Sequence, residues 1–281
     1  MTPFYLAAYD TESVRCIKGV RAIVRQHLKY QVPATFFVVG ELLEDEDWAA
    51  EAKELLSDPS FDVQSHTYTH RAVFPSPYER EPDAGYKEAV VDEIKKANTI
   101  IEKVFGKKPI GYRPPGGYED GLGRAGWLLN ALWREGIRFI SSQLAGPGHT
   151  YPTPLCNPYW NETDVLRPLL ELPAYGWHDN ALKGYQRFGA SWPPVLPWGY
   201  PTHAVTTPEE EFDVHKKGID YILEDGGYLY YSPVMHPWST YRFNKDAETL
   251  GLLLAYVREM DMPCKLYADV YREIESGGIT I

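Results

Sequence analysis

Residues 34–40 have the sequence Ala34-Thr35-Phe36-Phe37-Val38-Val39-Gly40, an apolar run of aromatic and β-branched side chains that ends at a glycine. Such a run predicts a β-strand. Apolar residues spaced three and four apart over 14–30 and 47–56 predict a helix on each side of it. A strand that alternates with helices indicates a parallel sheet.

The same alternation extends along most of the chain. Further strands are predicted over residues 4–9, 61–64, 110–112, 137–141, 169–172, 228–234 and 265–268. Further helices are predicted over residues 86–105, 123–134, 208–223 and 246–259. Seven or eight β-then-α units favour an α/β barrel over an open sheet. A chain of 281 residues suits a single catalytic domain spanning 1–281.

Net charge and cysteine content exclude some classes of partner and site. A formal net charge of −11 leaves no basic surplus for phosphates or anionic lipid, which argues against nucleic acid and membrane as partners. Cys16, Cys156 and Cys264 lack a CxxC spacing and are interpreted as structural thiols. Residues 1–9 lack a signal-peptide pattern, which predicts a cytoplasmic location unless a leader was removed. The oligomeric state is left open, a homo-oligomer included.

The strongest local signal is Ser65-His66-Thr67-Tyr68-Thr69-His70, which follows a predicted strand. In a helical or turn-like backbone, two imidazoles four residues apart point the same way. Neutral imidazole is the commonest zinc ligand, and a catalytic zinc site needs three protein ligands. An isolated pair of this kind is more often incidental than metal-binding, so its context decides.

The context is a set of polar residues that follow the predicted strands. They are Asp10, Glu12, His66, Arg113, Asp179 and His236. In a parallel barrel the carboxyl ends of the strands build the active site, so all six are expected on one face. Each has an ordinary alternative: Asp10 as a helix cap, Arg113 in a surface ion pair, and His236 as a buried ring. Together they favour an active site.

At this point the sequence resembles a known family. The motifs that carry the resemblance are Ala34–Gly40, Ser65–His70, Tyr112-Arg113-Pro114-Pro115-Gly116-Gly117 and Met235-His236-Pro237-Trp238. In order and spacing they are similar to the polysaccharide deacetylases, carbohydrate esterase family 4 or NodB-homology domains. Four ordered motifs are far more specific than any one of them. The resemblance implies a distorted (β/α)7 barrel, similar to a TIM barrel.

The resemblance also implies roles for individual residues. The family holds a divalent metal, usually zinc, with Asp-His-His, and uses an Asp as general base and a His as general acid. On this chain the two metal-binding histidines become His66 and His70, the base Asp10 and the acid His236. Arg113 would orient Asp10 through a charge-assisted hydrogen bond.

Two motifs depart from the family pattern. Asp10-Thr11-Glu12 replaces two adjacent aspartates, so Glu12 is predicted as the third metal ligand. This acid-x-acid spacing is closer to peptidoglycan-deacetylase-like and allantoinase-like members. The stretch 172–179 also lacks the usual motif, and Asp179 is predicted as the carboxylate that orients His236.

These observations predict a hydrolase that uses Zn²⁺, or another divalent metal such as Co²⁺, to remove an acetyl group from an N-acetylated sugar or a related small amide. Two alternatives stay open. One is ring opening of a cyclic amide such as allantoin. Three features favour it: Glu12, the His236-Pro237-Trp238 stretch and the missing leader. The other is a non-catalytic carbohydrate-binding protein.

Residues 145–206 break the alternation and are rich in proline and aromatic residues. Trp160, Trp177, Trp192 and Trp198 fall in this segment. Tryptophans in a loop could stack on the apolar faces of sugar rings, or they could form a small separate core beneath the loop. The sequence favours neither interpretation.

Overall fold

Parallel strands form the centre of the molecule, whose computed structural model describes residues 2–75, 81–162, 166–185 and 194–281. The strands are β1 (Phe4–Tyr5), β2 (Ala8–Thr11), β3 (Ala34–Val38), β4 (Phe61–Ser65), β5 (Gly111–Tyr112), β6 (Phe139–Ile140), β7 (Tyr159–Asn161), β8 (Leu169–Glu171) and β9 (Tyr230–Tyr231). Within the described residues, β2-β3-β4-β5-β6-β8-β7 form one sheet, which is parallel except for the antiparallel edge strand β7. The predicted parallel sheet is thereby confirmed.

Helices follow most of the strands. They are α1 (Cys16–Tyr30), α2 (Glu46–Leu55), α3 (Ala84–Phe105), α4 (Gly126–Arg134), α5 (Asp179–Leu182), α6 (Pro208–Asp225), α7 (Pro237–Phe243), α8 (Glu248–Glu259) and α9 (Tyr267–Glu275). Their ends follow local chemistry: the Thr207 side chain caps α6 by accepting from the Glu210 backbone N–H. Gly106 and Gly226 end α3 and α6 with left-handed backbone, which glycine adopts without steric cost.

The sheet closes through short pairings at its other edge. β1 pairs in parallel with β9, and single bridges then join Tyr9 to Met235 and His178 to Val234. Residues 230–235 therefore lie between the first strands and the segment that ends at His178. The result is a distorted (β/α)7 barrel, as predicted.

Aromatic side chains fill the interior of this barrel. The Phe37 and Tyr267 rings meet edge to face with centroids 5.6 Å apart, and the Arg113 guanidinium lies 4.2 Å from the Phe37 centroid. Every residue of β2 and β3 is buried, as expected for strands covered on both faces. A rigid apolar floor therefore supports the polar groups at the carboxyl ends of the strands.

One predicted strand is wrong. Residues 265–268 do not form a strand, because pairing stops after a single bridge between Tyr5 and Cys264 and α9 begins at Tyr267. The buried residues of α9, Tyr267, Ala268, Val270, Tyr271 and Ile274, follow a helical spacing, which outweighs the short apolar run. The predicted strand 4–9 is also divided into β1 and β2, which pair with different neighbours.

Helices α1 and α7 approach closely at Gly19. A Cβ atom at this position would lie only 1.9 Å from the carbonyl oxygen of Pro237. Glycine is required here because only a residue without a side chain allows the two backbones to meet.

Among the described residues, no helix combines the length and apolar character needed to cross a membrane.

Candidate metal centre and active site

A cavity of about 180 Å³ lies at the carboxyl ends of the strands. Its walls include the predicted residues Asp10, Glu12, His66, His70 and His236. Arg113 and Asp179 lie behind this wall, where they contact Asp10 and His236. All seven residues singled out from the sequence therefore meet at one site, as expected for loops that follow parallel strands.

Glu12, His66 and His70 form a candidate metal-binding triad. One ligand atom from each residue lies within 4.8 Å of the others. Two imidazoles and a carboxylate are a donor set that catalytic zinc sites use. The fit of this triad to a metal depends on whether these atoms have free lone pairs.

His66 has a lone pair of this kind. It follows β4, and its Nδ1 lies 2.7 Å from the carbonyl oxygen of Arg113. A carbonyl oxygen only accepts, so Nδ1 carries the proton and Nε2 holds a lone pair. Nε2 is buried without a hydrogen-bond partner. Burial lowers the pKa of His66 to about 4, which keeps the ring neutral at pH 7 and able to bind a metal.

A tight turn brings His70 beside His66. Thr67 and His70 have φ angles of 65° and 60°, in the left-handed region that non-glycine residues rarely occupy. The two imidazole centroids lie 4.9 Å apart. A turn, and not a helix, therefore places the two imidazoles next to each other although they are four residues apart in the chain. Strained backbone of this kind is concentrated at functional sites.

The carboxylate of Glu12 has two different partners. Oε1 accepts a hydrogen bond from Trp238 Nε1 at 2.8 Å, and Oε2 lies 3.0 Å from His70 Nε2. Burial opposes the charge of Glu12, but the hydrogen bond from His70 and the nearby histidines lower its pKa to about 2. Glu12 is therefore an anionic donor at neutral pH.

Asp10 is held by Arg113 at the end of β2. Arg113 Nη1 donates to Asp10 Oδ1 at 2.8 Å, while Nη2 donates to Ser141 Oγ and to the Tyr267 hydroxyl. Burial disfavours an ionised Asp10, yet the Arg113 guanidinium holds its pKa below the ordinary value. Arg113 itself is fully buried, so the pair is shielded from solvent screening.

His236 forms a second pair with Asp179. The distance from His236 Nδ1 to Asp179 Oδ1 is 2.7 Å, and the His236 backbone N–H donates to Asp179 Oδ2 at 3.2 Å. Burial disfavours the imidazolium, but the Asp179 carboxylate outweighs it and raises the pKa of His236 to about 9. At neutral pH His236 is therefore protonated, with Nε2 as its remaining ring nitrogen.

The cavity wall also contains residues that the sequence did not single out. They are Gly116, Gly117, Leu144, Tyr151, His178 and Asn180. His178 Nε2 donates to the Leu144 carbonyl oxygen at 2.7 Å, which leaves a lone pair on Nδ1. Asn180 Oδ1 is buried without a partner. Only their adjacency to Asp179 could have drawn attention to His178 and Asn180.

The described tryptophans of residues 145–206 lie away from this cavity. Trp177 is fully buried in a separate core with Leu182, Leu196, Val205 and Val214, against which Trp198 packs. Trp160 packs against the main core. The separate-core interpretation therefore holds for Trp177 and Trp198, whereas Trp192 lies outside the described residues.

Part of the chain matches a known family. Residues 18–125, which contain His66, His70 and Arg113, match the family model "Polysaccharide deacetylase". Residues 18–125 are thus similar to that family. The recognition of the family from the sequence motifs is thereby confirmed, as is the prediction of a hydrolase of this type. No protein of curated function matches the sequence significantly.

Solved structures extend the similarity beyond the matched segment. A putative polysaccharide deacetylase from Mycobacterium smegmatis has a TM-score of 0.71 at 17% identity, with 99% of this chain and 92% of that chain covered. A probable polysaccharide deacetylase from Pseudomonas aeruginosa PAO1 gives 0.65 at 16% identity, covering 92% and 73%. Puue allantoinase gives 0.65 at 15% identity, covering 92% and 72%. At these identities the likeness establishes the deacetylase-like fold alone.

Proposed function

We propose that this protein is a metal-dependent hydrolase that removes an acyl group from an N-acylated sugar or a related amide. The observation that carries the proposal is the shared cavity of two polar pairs and one triad. Asp10–Arg113 offers an ionised carboxylate, Asp179–His236 offers a protonated imidazole, and both adjoin the candidate ligands.

Glu12, His66 and His70 would hold the metal. The partnerless Nε2 of His66 and the anionic Glu12 carboxylate support this assignment, and Zn²⁺ or Co²⁺ suits the donor set. A bound divalent ion lowers the pKa of water and polarises a carbonyl oxygen.

Asp10 would act as general base. Arg113 keeps this carboxylate ionised and occupies one of its oxygens, which fixes its orientation. The other oxygen is then available to accept a proton from the water that attacks the amide carbon.

His236 would act as general acid. Asp179 binds Nδ1, so Nε2 is the atom that donates a proton to the departing nitrogen as the C–N bond breaks. The raised pKa of His236 ensures that this proton is present at neutral pH. Asp179 would be the carboxylate that orients His236, the role that the sequence also suggests for it.

A second candidate function is ring opening of a small cyclic amide. The cavity, at about 180 Å³, is smaller than the roughly 300–1,000 Å³ of sites that enclose drug-sized ligands, so it suits one small ring or a terminal group. His178 Nδ1 and Asn180 Oδ1 add acceptors that would match the several N–H groups of a ureide.

A substrate panel combined with metal analysis tests these proposals. Protein purified without added metal is analysed by emission spectroscopy, and Zn²⁺- and Co²⁺-loaded samples are assayed with tri-N-acetylchitotriose and with allantoin. Acetate release from the sugar supports deacetylation, and ring opening without acetate supports the second candidate. Bound metal without activity towards any N-acylated sugar or cyclic amide would favour a binding protein and contradict both.

A further inference from the structure

A buried chain of charges continues from Asp179 into the outer helices. Lys183, just after α5, has its Nζ 3.2 Å from Asp179 Oδ2 and 2.8 Å from Glu211 Oε1. Glu211 lies on α6, and its Oε2 accepts a hydrogen bond from Thr249 Oγ1 at 2.9 Å. The Lys183, Asp179 and Glu211 side chains are each at most 1% exposed.

Asp179 lies between Lys183 and His236, and Lys183 lies between the carboxylates of Asp179 and Glu211. Burial raises the pKa of Glu211, and the neighbouring Lys183 opposes this shift. Unbalanced charge is very costly away from water. Moreover, a buried ion pair is seldom more stabilising than apolar side chains of the same volume, so stability alone is a weak reason for a buried Lys183.

We propose that Lys183, anchored by Glu211, is a positioning residue for the general acid. This inference rests on the proposed function, in which His236 donates the proton. Lys183 and the His236 backbone N–H donate to Asp179 Oδ2, while Oδ1 accepts from the Asn180 backbone N–H and lies 2.7 Å from His236 Nδ1. Lys183 is the side chain that fixes Oδ2 on the side away from the imidazole. His236 Nε2 is thereby kept as the ring nitrogen that serves the cavity.

The test removes the lysine together with its second carboxylate partner. A double variant, Lys183→Met with Glu211→Gln, loses one positive and one negative group and leaves the neutral Asp179–His236 pair. The control is Lys216→Met with Asp220→Asn, which removes a lysine–carboxylate ion pair that is partly exposed on α6. Cooperative melting is checked for both. If the first double variant does not melt cooperatively, Lys183→Gln with Glu211→Gln, which keeps polar groups at both positions, replaces it.

Two measurements are made on the metal-loaded protein. The first is the low-field proton resonance of the His236 Nδ1–H bond to Asp179, assigned by its loss in His236→Gln. We expect the double variant to lose it and the control to keep it. The second is amide hydrolysis, for which kcat should fall by about 10- to 100-fold with KM unchanged, part of the range typical of acid–base catalysis.

The outcomes separate the two proposals. A retained resonance, or an unchanged kcat in the absence of the resonance, contradicts the positioning role. If the unsubstituted protein hydrolyses neither an N-acylated sugar nor a cyclic amide, the proposed function fails, while the resonance alone still decides whether Lys183 positions His236.

Discussion

Asp10 and Glu12 are two residues apart in the chain, but their carboxylates have different partners. Asp10 faces the buried guanidinium of Arg113, whereas Glu12 faces His70 and Trp238. The difference follows from strand geometry, since Asp10 lies within β2 and Glu12 just beyond it. Two neighbouring acids can therefore serve as base and ligand.

We expect Glu12→Ala to lose both metal and activity. Asp10→Asn should keep the metal and lose about 10²–10⁴-fold in kcat, because a general base contributes to the rate and little to metal affinity. The asparagine oxygen can still accept from Arg113, so the pocket should persist. Metal content by emission spectroscopy and kcat are measured together.

Asp246→Asn, an exposed aspartate paired with Arg25, is the control and should change neither quantity. Loss of metal from Asp10→Asn with retention in Glu12→Ala would exchange the two roles. If neither substitution lowers the metal content, His66 and His70 must have a different third ligand.

The two histidines of the triad lend themselves to a second test. His66→Ala and His70→Ala should each lower bound metal well below one equivalent, because each removes one of three protein ligands. Melting should stay cooperative in the metal-free protein, since strand pairing and apolar packing form the barrel. His203→Ala, an exposed histidine, is the control. Full occupancy in both variants would exclude the proposed ligand set.

The long strands and helices were predictable because periodicity defines them. The run 34–39 and the helix that ends at Gly106 were predicted nearly to the residue. Between residues 145 and 206, β8 agrees with the predicted strand 169–172, but β7 and α5 were not predicted, because they span only three and four residues. His178 and Asn180 enter the cavity through this segment, so no motif or period pointed to them.

Trp198 belongs to this same segment. Its surroundings indicate that its truncation should affect stability more than substrate binding. Its ring lies 5.6 Å from the Tyr221 ring of α6, outside the cavity. Trp198→Ala should therefore destabilise the fold by about 1–3 kcal/mol, with KM nearly unchanged. Denaturant unfolding and steady-state kinetics measure the two effects. A raised KM at unchanged stability would restore the sugar-stacking interpretation.

Buried histidines are distributed through the whole barrel and should control its acid stability. Burial lowers the pKa of His27, His66 and His178 to about 4 and of His215 to about 3. From pH 6.5 down to 4 the unfolded chain binds protons on these rings that the folded protein does not. Stability should therefore fall with pH over this interval, by about 1.4 kcal/mol per pH unit for each ring.

Groups whose pKa is raised in the folded protein have the opposite effect, Glu171 and His236 among them. Burial raises the pKa of Glu171 to about 7, so its contribution to stability is lost as pH rises from about 4.5 to 7. Over that interval this one group opposes the four buried histidines. His236, with its pKa raised to about 9, loses its contribution as pH rises from 6.5 to 9. We expect the melting temperature to be highest near pH 6.5–7 and to fall on both sides.

Calorimetry between pH 4.5 and 9 measures this profile. His27→Gln should flatten the acid side, because glutamine can satisfy the Tyr9 hydroxyl and the Val32 carbonyl without titrating. A melting temperature that stays constant from pH 6.5 to 4.5 would show that these rings are protonated in the folded state.

The contact of Gly19 with Pro237 links an outer helix to the candidate active site. Because α7 begins directly after His236, the depth at which α7 seats on α1 sets how far the imidazole projects inward. One added methyl group at residue 19 would push this helix outward, carrying His236, the proposed proton donor, and the indole of Trp238 with it. A substitution at position 19 should therefore disturb the candidate active site, although residue 19 lies on an outer helix away from the cavity.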